Sequence, residues 1–268
     1  MKLLTLIIVV PVLIVSGCAT SDKATHAQFD PPNSNEFRGQ STDEEFNEFE
    51  KELSKQVVTI ADPIEPLNRM MFNVNDRFYF WVAKPVIEGY EKTVPKPLRI
   101  GVGNFFQNLT TPIRLVNCLF QGKGSRAGME MRRFGINTTA GILGFGDPAR
   151  DRYHLEPSTE DLGQTLAAYG LGNVCYIVWP VLGPSTLRDS VGAAGDWFLN
   201  PVSYVRPLEA YIGIRAADYV NDGSFRTGEY EAFKKAAVDP YVAMRTAYIQ
   251  YRQKQIHDQP VEPNSYRP

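Results

Sequence analysis

Glu156, Glu160 and Asp161 set three carboxylates close together in the stretch EPSTEDLG, residues 156–163. Paired carboxylates can divide general-acid and general-base work. On a PSTED stretch, however, they more commonly cap the next helix and favour its positive end, and that is the role expected here. Ser185 in LGPSTLRD lacks the glycine that a nucleophile elbow needs after its serine. QGKGSR, residues 121–126, has the glycines and lysine of a phosphate loop at the wrong spacing. Arg188-Asp189 reads as an ion pair or a cap. Cys118 in VNCLF and Cys175 in NVCYIVW have apolar neighbours, so buried free thiols are expected, although an oxidising compartment would permit a disulfide. His26, His154 and His257 are far apart and show no metal-ligand spacing. Neither an active site nor a metal centre is expected.

The remaining cysteine has a different setting. Cys18 follows Lys2, the apolar stretch Leu3 to Val15 and the small pair Ser16-Gly17, the parts of a secretory signal over residues 1–17. The stretch is too short and too weakly flanked for a stable transmembrane helix. Val15-Ser16-Gly17-Cys18 resembles a bacterial lipobox, which would make Cys18 the first mature residue, carrying a diacylglycerol and an N-acyl chain. At about 0.8 kcal/mol per buried methylene, three such chains anchor a protein in practice permanently. Ala19, where an aspartate would signal inner-membrane retention, implies the outer membrane. The alternative is an ordinary signal peptide and a chance cysteine.

Behind that leader, 268 residues with 43% hydrophobic and 22% charged content describe a globular chain large enough for a sizeable core. A net charge of −2 provides no basic field for nucleic acid. Residues 18–60 read as a polar tether with one short helix in STDEEFNEFEKELSKQVV (41–58). Ser41 with Glu44, or Thr42 with Glu45, would form a capping box, and Phe46, Phe49, Leu53 and Val57 share a face. Packing on the body is expected over a membrane surface, because the acidic face would repel anionic headgroups.

The body spans residues 61–256, with a Pro-rich tail over 257–268. Its first helix carries a stripe of Leu67, Met70, Met71, Val74, Phe78, Trp81 and Val82, with Asp62 or Glu65 as cap and Pro63 or Pro66 in the first turn. Phe72, Tyr79 and Phe80 lie off the stripe, and Asn68, Asn73, Asn75, Asp76 and Arg77 supply polarity. A helix apolar on more than one side is either buried twice over or faces lipid. Further helices are expected at Ile113 to Phe120 and from Ser125 into NTTAGILGFG, where Met131, Phe134, Thr138, Gly141, Ile142 and Phe145 share a face. Ser158 or Thr159 would cap another, ending near Gly170, and three more lie at about Leu208–Val220, Glu229–Ala237 and Pro240–Gln255. The apolar run Val174–Leu182 is a re-entrant or interfacial segment, a buried strand or a core loop; it is too short to span a bilayer. No segment alternates strongly, so the expected class is mainly α, in short helices separated by Gly and Pro.

Six motifs stand in order along this body: DPIEPLNRMMFNVND (62–76), VPKPLRIGVGNFFQNLTTP (94–112), RRFGINTTAGILGFGDPA (132–149), EDLGQTLAAYGLG (160–172), PVLGPSTLRDSVG (180–192) and DPYVAMRTAYIQ (239–250). Together, behind a lipobox, they resemble the MlaA (VacJ) family of outer-membrane phospholipid-transport lipoproteins. The resemblance implies a ring-like helical body in the inner, periplasmic leaflet of the outer membrane, associated with a trimeric porin. Mislocalised phospholipids would leave the outer leaflet through an amphipathic channel and pass to a periplasmic lipid carrier, with no catalysis and no cofactor beyond the acyl chains on Cys18. It also implies Asn73, Asn75 and Asp76 near the lipid path, and Gly163, Gln164, Tyr169 and Gly170 as gate or hinge. Phe78-Tyr79 and Lys84 depart from the family pattern. A lipoprotein that binds porins or host surfaces without moving lipid is the reading from another class.

Overall fold

The computed structural model describes residues 60–257. The leader, Cys18, the helix expected at 41–58 and residues 258–268 lie outside the described residues. Helix α1 runs Glu65–Phe78, with Pro66 in its first turn. A π-helical turn, Tyr79–Ala83, joins it to α2, Lys84–Thr93. Pro85 accounts for the wider turn: it has no N–H to donate, and its ring would press on the carbonyl four residues back in a regular helix. The first helical stretch therefore outruns the expected one.

Prolines also place α3, Lys96–Leu109, and α4, Thr111–Phe120, each with a proline in the first turn. Next come α5, Gly124–Thr139, and the short α6, Pro148–Tyr153, whose cap Asp147 accepts from the Arg150 amide. Helix α5 stops before the glycine-rich segment, so the expected face from Met131 to Phe145 is broken. Gly144 at φ +93° turns the chain there, and a side chain on it would meet Asn108 Cβ at 2.6 Å. Helix α7, Leu162–Ala168, is capped by Asp161 rather than by Ser158 or Thr159. The Val174–Leu182 run contains strand β1, Tyr176–Trp179, which pairs antiparallel with β2, Gly183–Thr186. Of the readings open for that run, the buried strand holds, and its partner β2 is the addition to the expected mainly helical fold.

Thr186 caps α8, Leu187–Leu199, which leads through a 3-10 turn, Pro201–Tyr204, to α9, Leu208–Gly223. Helices α10, Glu229–Ala236, and α11, Pro240–His257, complete the body and agree with the sequence to within a few residues. The fold is mainly helical, as expected. Its contacts form a circuit: α1 lies on β1, β2 on α8, α8 on α7, α7 on α4, α4 on α3, α3 on α9, α9 on α2, and α2 returns through the π turn to α1.

The closest approach on that circuit is between α7 and α8. A Cβ on Gly192 would lie 2.4 Å from the Gly163 amide nitrogen, and one on Gly163 would lie 2.6 Å from Asp189 Oδ1. The first obstacle is backbone, and the second is a carboxylate held by Arg188 and Arg252. Gly192→Ala is expected to force the two helices apart at a cost of about 1–3 kcal/mol, the range for overpacking, and to lower the unfolding temperature. An unchanged melting curve would show that the helices separate freely.

Candidate functional site

Among the described residues, nineteen polar or charged side chains are buried against eleven hydrophobic ones. That ratio reverses the usual order in water, where charged groups are almost never fully buried unless paired. The apolar core is one small cluster, Tyr176, Val178, Tyr241 and Ile249, with Met71 and Phe72 against it. The remaining interior is held by polar contacts.

On α1 the inward face is amide. Asn68 Nδ2 donates to the Tyr176 carbonyl at 3.0 Å, and Asn68 Oδ1 accepts from the Val178 amide at 2.9 Å. Two helical turns on, Asn75 Nδ2 donates to the Trp179 carbonyl at 2.8 Å and its Oδ1 accepts from Val181 at 2.7 Å. Each side chain pairs with backbone as a neighbouring strand would. Asp62 does not cap α1. It accepts from Asn68 Nδ2 at 2.8 Å, from the Tyr241 hydroxyl and from Arg245 Nη1 at 2.8 Å.

The charges are paired with equal care. Arg252 bridges Asp161 and Asp189, with Nη1 at 2.6 Å from Asp161 Oδ2 and Nη2 at 2.9 Å from Asp189 Oδ1. Arg188, expected to pair with Asp189, does so at 2.8 Å. Burial works against the Asp189 charge, but Arg252, Arg188 and the Tyr248 hydroxyl outweigh it and hold the carboxyl below its usual range. Glu160 faces Lys123 at 2.7 Å and Arg126 at 2.8 Å, and Glu130 meets Arg114 at 2.9 Å. Glu156 pairs with Arg150 at 3.4 Å. The three carboxylates of EPSTEDLG thus have separate cationic partners, and Asp161 caps as the sequence suggested. Cys118 is a buried free thiol 3.5 Å from Ser158 Oγ, and burial pushes its pKa up; Cys175 is buried elsewhere in the core. Among the described residues no His, Cys, Asp and Glu side chains gather as a metal site.

Much of the outside is apolar. Five of the seven residues of the stripe predicted for the first helix face outward: Leu67, Met70, Val74 and Val82 are exposed and Trp81 is 76% so, whereas Met71 and Phe78 are half-buried, Met71 against the core. Phe72 and Phe80 are the partly covered side. Backbone strain serves the same display. Ile142, Leu143, Val174 and Val181 have φ between 55° and 66°, an outlier region for bulky or β-branched residues. Ile142 is 77% exposed, and Leu182, next to Val181, is 80% exposed. Asparagines brace both tips. Asn75 holds the Val181 turn, and Asn104 Nδ2 donates to the Phe145 carbonyl at 3.2 Å beside the other. A turn that stores strain to present apolar side chains points to function at those side chains. Among the described residues, no helix is long and apolar enough to cross a membrane.

The residues proposed for the lipid path do not converge. Asn73 is exposed on α1, in an open groove of ≈450 Å³ with Arg69, Arg77, Met70 and Val74. Asn75 is engaged with the hairpin. Asp76 accepts from Lys234 at 2.6 Å and from the Tyr230 hydroxyl at 3.0 Å. Of the gate residues, Gly163 and Gln164 are buried in the α7–α8 contact, and Gln164 Nε2 donates to the Thr159 carbonyl at 2.6 Å. Tyr169 and Gly170 are exposed at the far end, with the Tyr169 hydroxyl 2.6 Å from the Phe120 carbonyl. Sequence reasoning passed over Asn68 and Arg252 as central groups. The seven-residue spacing of Asn68 and Asn75 was the available signal for the first; Arg252, in IQYRQKQ, carried none.

Comparison with known proteins agrees with this arrangement. The family described as MlaA lipoprotein matches residues 60–255. The intermembrane phospholipid transport system lipoprotein MlaA of Haemophilus influenzae is 31% identical over 215 residues, covering 76% of this chain and 83% of that one. Its namesake in Escherichia coli K12 is 33% identical over 200 residues, covering 71% and 76%. A solved structure reported under "Structural basis for maintenance of bacterial outer membrane lipid asymmetry" superposes with a TM-score of 0.66 at 29% identity, covering 73% of this chain and 99% of that one. The chain belongs to the MlaA lipoprotein family.

Proposed function

We propose that this protein is an outer-membrane lipoprotein, anchored on the periplasmic side by acyl chains on Cys18, that removes mislocalised phospholipids from the outer leaflet. The observation that carries the proposal is the inverted body: a polar interior within a circuit of short helices that expose many large apolar side chains. Such a body is suited to sit among acyl chains in one leaflet, since exposed apolar area is favourable there and its buried charges are already paired. The two MlaA relatives are named for an intermembrane phospholipid transport system, and the similar structure concerns outer-membrane lipid asymmetry. On this reading an amphipathic channel passes the lipid inward, a trimeric porin seats the protein and a periplasmic carrier receives the lipid. Tyr169 and Gly170, exposed beyond the packed Gly163-Gln164 pair, are the part of the gate segment placed to move.

The test is the phospholipid exposed on the outer leaflet. Deletion is expected to raise it, wild-type protein to restore it, and Cys18→Ala to fail to restore it while leaving the membrane fraction. No rise on deletion would give the lead to a porin- or host-binding lipoprotein. Retention of the Cys18→Ala protein in membranes would remove the lipid anchor from the account.

A further inference from the structure

A second cavity, of ≈380 Å³, opens where the π turn and α2 meet α9, α10 and α11. Its size is within the range of small-ligand sites. Tyr79, Tyr219, Tyr230 and Phe233 supply aromatic walls, and Asp222, Glu229 and Arg226 supply charge. The phenols of two of these tyrosines are already committed. Tyr79 donates to Glu231 Oε2 at 3.1 Å and Tyr230 to Asp76 Oδ1 at 3.0 Å. Their rings stand 4.7 Å apart at 66°, fixed edge to face. What these two tyrosines can still offer a ligand is therefore aromatic surface. The α10 wall is held by the Lys234–Asp76 and Lys84–Glu231 ion pairs, each at 2.6 Å.

The charged groups, by contrast, are loosely engaged. Arg226 Nη2 is 3.3 Å from Asp222 Oδ1, with both side chains about two-thirds exposed. Glu229 has no ion pair among the described residues. Aromatic faces beside carboxylates attract an ammonium, and a guanidinium matches the planar, multidentate acceptors of a phosphate. One cavity thus carries both halves of the complement to a phosphate ester tethered to an ammonium.

We propose that this cavity binds the headgroup of a zwitterionic phospholipid, with Arg226 on the phosphate and Asp222, Glu229 and the tyrosine rings on the ammonium. The proposal rests on the phospholipid reading above and adds a headgroup preference to it. Asp222, Glu229 and Arg226 together carry a formal charge of −1, so a headgroup with a phosphate and no ammonium meets net repulsion. Free phosphoethanolamine shares the chemistry but lacks the acyl chains that the exposed apolar surface would receive.

Calorimetric titration of the full-length protein in uncharged detergent tests this, using dihexanoyl phosphatidylethanolamine, dihexanoyl phosphatidylglycerol and free phosphoethanolamine. The ethanolamine lipid is expected to bind about tenfold tighter than the glycerol lipid, as a cation–aromatic contact with a carboxylate beside it allows. Asp222→Asn with Glu229→Gln should bring that ratio close to one, and Arg226→Gln should weaken the ethanolamine lipid. Equal binding by the wild type, or a preference that survives the double substitution, overturns the site. Phosphoethanolamine binding as tightly as the lipid overturns the lipid as its source. Should deletion raise outer-leaflet phospholipid while the titration shows no preference, the site fails and the transport reading stands. If the preference is found but the outer leaflet is unaffected, the transport reading fails instead.

Discussion

Arg252→Leu is expected to cost this protein about 3–5 kcal/mol, the range for removing one partner of a buried ion pair. A domain of ordinary stability has only about 5–15 kcal/mol in total. Arg252 is 7% exposed, and its guanidinium ties together three elements: the Asp161 cap of α7, Asp189 in the first turn of α8, and α11, on which it sits. Leucine would leave two carboxylates facing each other across the α7–α8 contact, with Arg188 answering only Asp189. Arg252→Lys should recover part of the loss, since one ammonium cannot reproduce the fork that meets both carboxylates. Adding Asp189→Leu to Arg252→Leu should not rescue it, because Arg188, buried and paired with Asp189, would then be the buried charge without a partner.

The same cluster sets a pH dependence whose sign follows from Asp189. Its folded-state pKa is depressed, so the stability it contributes is fully present above the unfolded value of about 3.9 and is lost as pH falls through the folded value. Without Arg252, burial is less opposed and the carboxyl is less depressed, so this acid-sensitive contribution shrinks and the penalty of Arg252→Leu should narrow as pH falls. Thermal unfolding of both proteins from neutral pH down to about pH 2 checks magnitude and sign together. A melting temperature indifferent to Arg252→Leu would mean that the guanidinium is solvated and the cluster contributes nothing.

The sequence carried the positions of most helices because prolines and capping side chains act locally. Pro66 and Pro112 start helices wherever the rest of the chain lies, and Asp161 caps α7 through a bond three residues long, whereas the helix that Pro97 opens was not expected. Of the hairpin, only the first strand was legible, as one of the readings open for Val174–Leu182. Its four-residue strands contain or adjoin Pro180 and Pro184 and have no alternating pattern, so pairing depends on residues a hundred positions away. Periodicity on α1 identified the apolar stripe but not the medium it meets, because a hydrophobic face has the same spacing against a core or against lipid. The end of α5 was missed for a similar reason: Gly141 and Gly144 read as small helix-packing residues, yet their environment is the turn and Asn108. Resemblance to the family placed Asn75 near the lipid path. It is the backbone of Trp179 and Val181 that takes both ends of that amide.

Asn68→Leu should therefore harm the protein more than Asn75→Leu, although neither lies in a classical core. Asn68 is 1% exposed and bonds Asp62, the Tyr176 carbonyl and the Val178 amide. Leucine is of similar size and a better helix former, so propensity and volume predict little change or a small gain. Hydrogen bonding predicts the opposite. A buried amide and carbonyl left unsatisfied cost about 1–3 kcal/mol each, and the Asp62 carboxylate loses a donor as well. On the order of 3 kcal/mol should disappear, visible as lost hydrogen-exchange protection at the Val178 amide. At Asn75 the Val181 end of the contact is exposed, so water can replace the lost bond and the penalty should be smaller. Comparing the two variants separates structure from lipid contact. If Asn75→Leu raises outer-leaflet phospholipid while hairpin protection is unchanged, its amide acts on the lipid. If the two defects rise together, Asn75 acts through the turn that presents Val181 and Leu182, and the lipid meets those side chains rather than the amide.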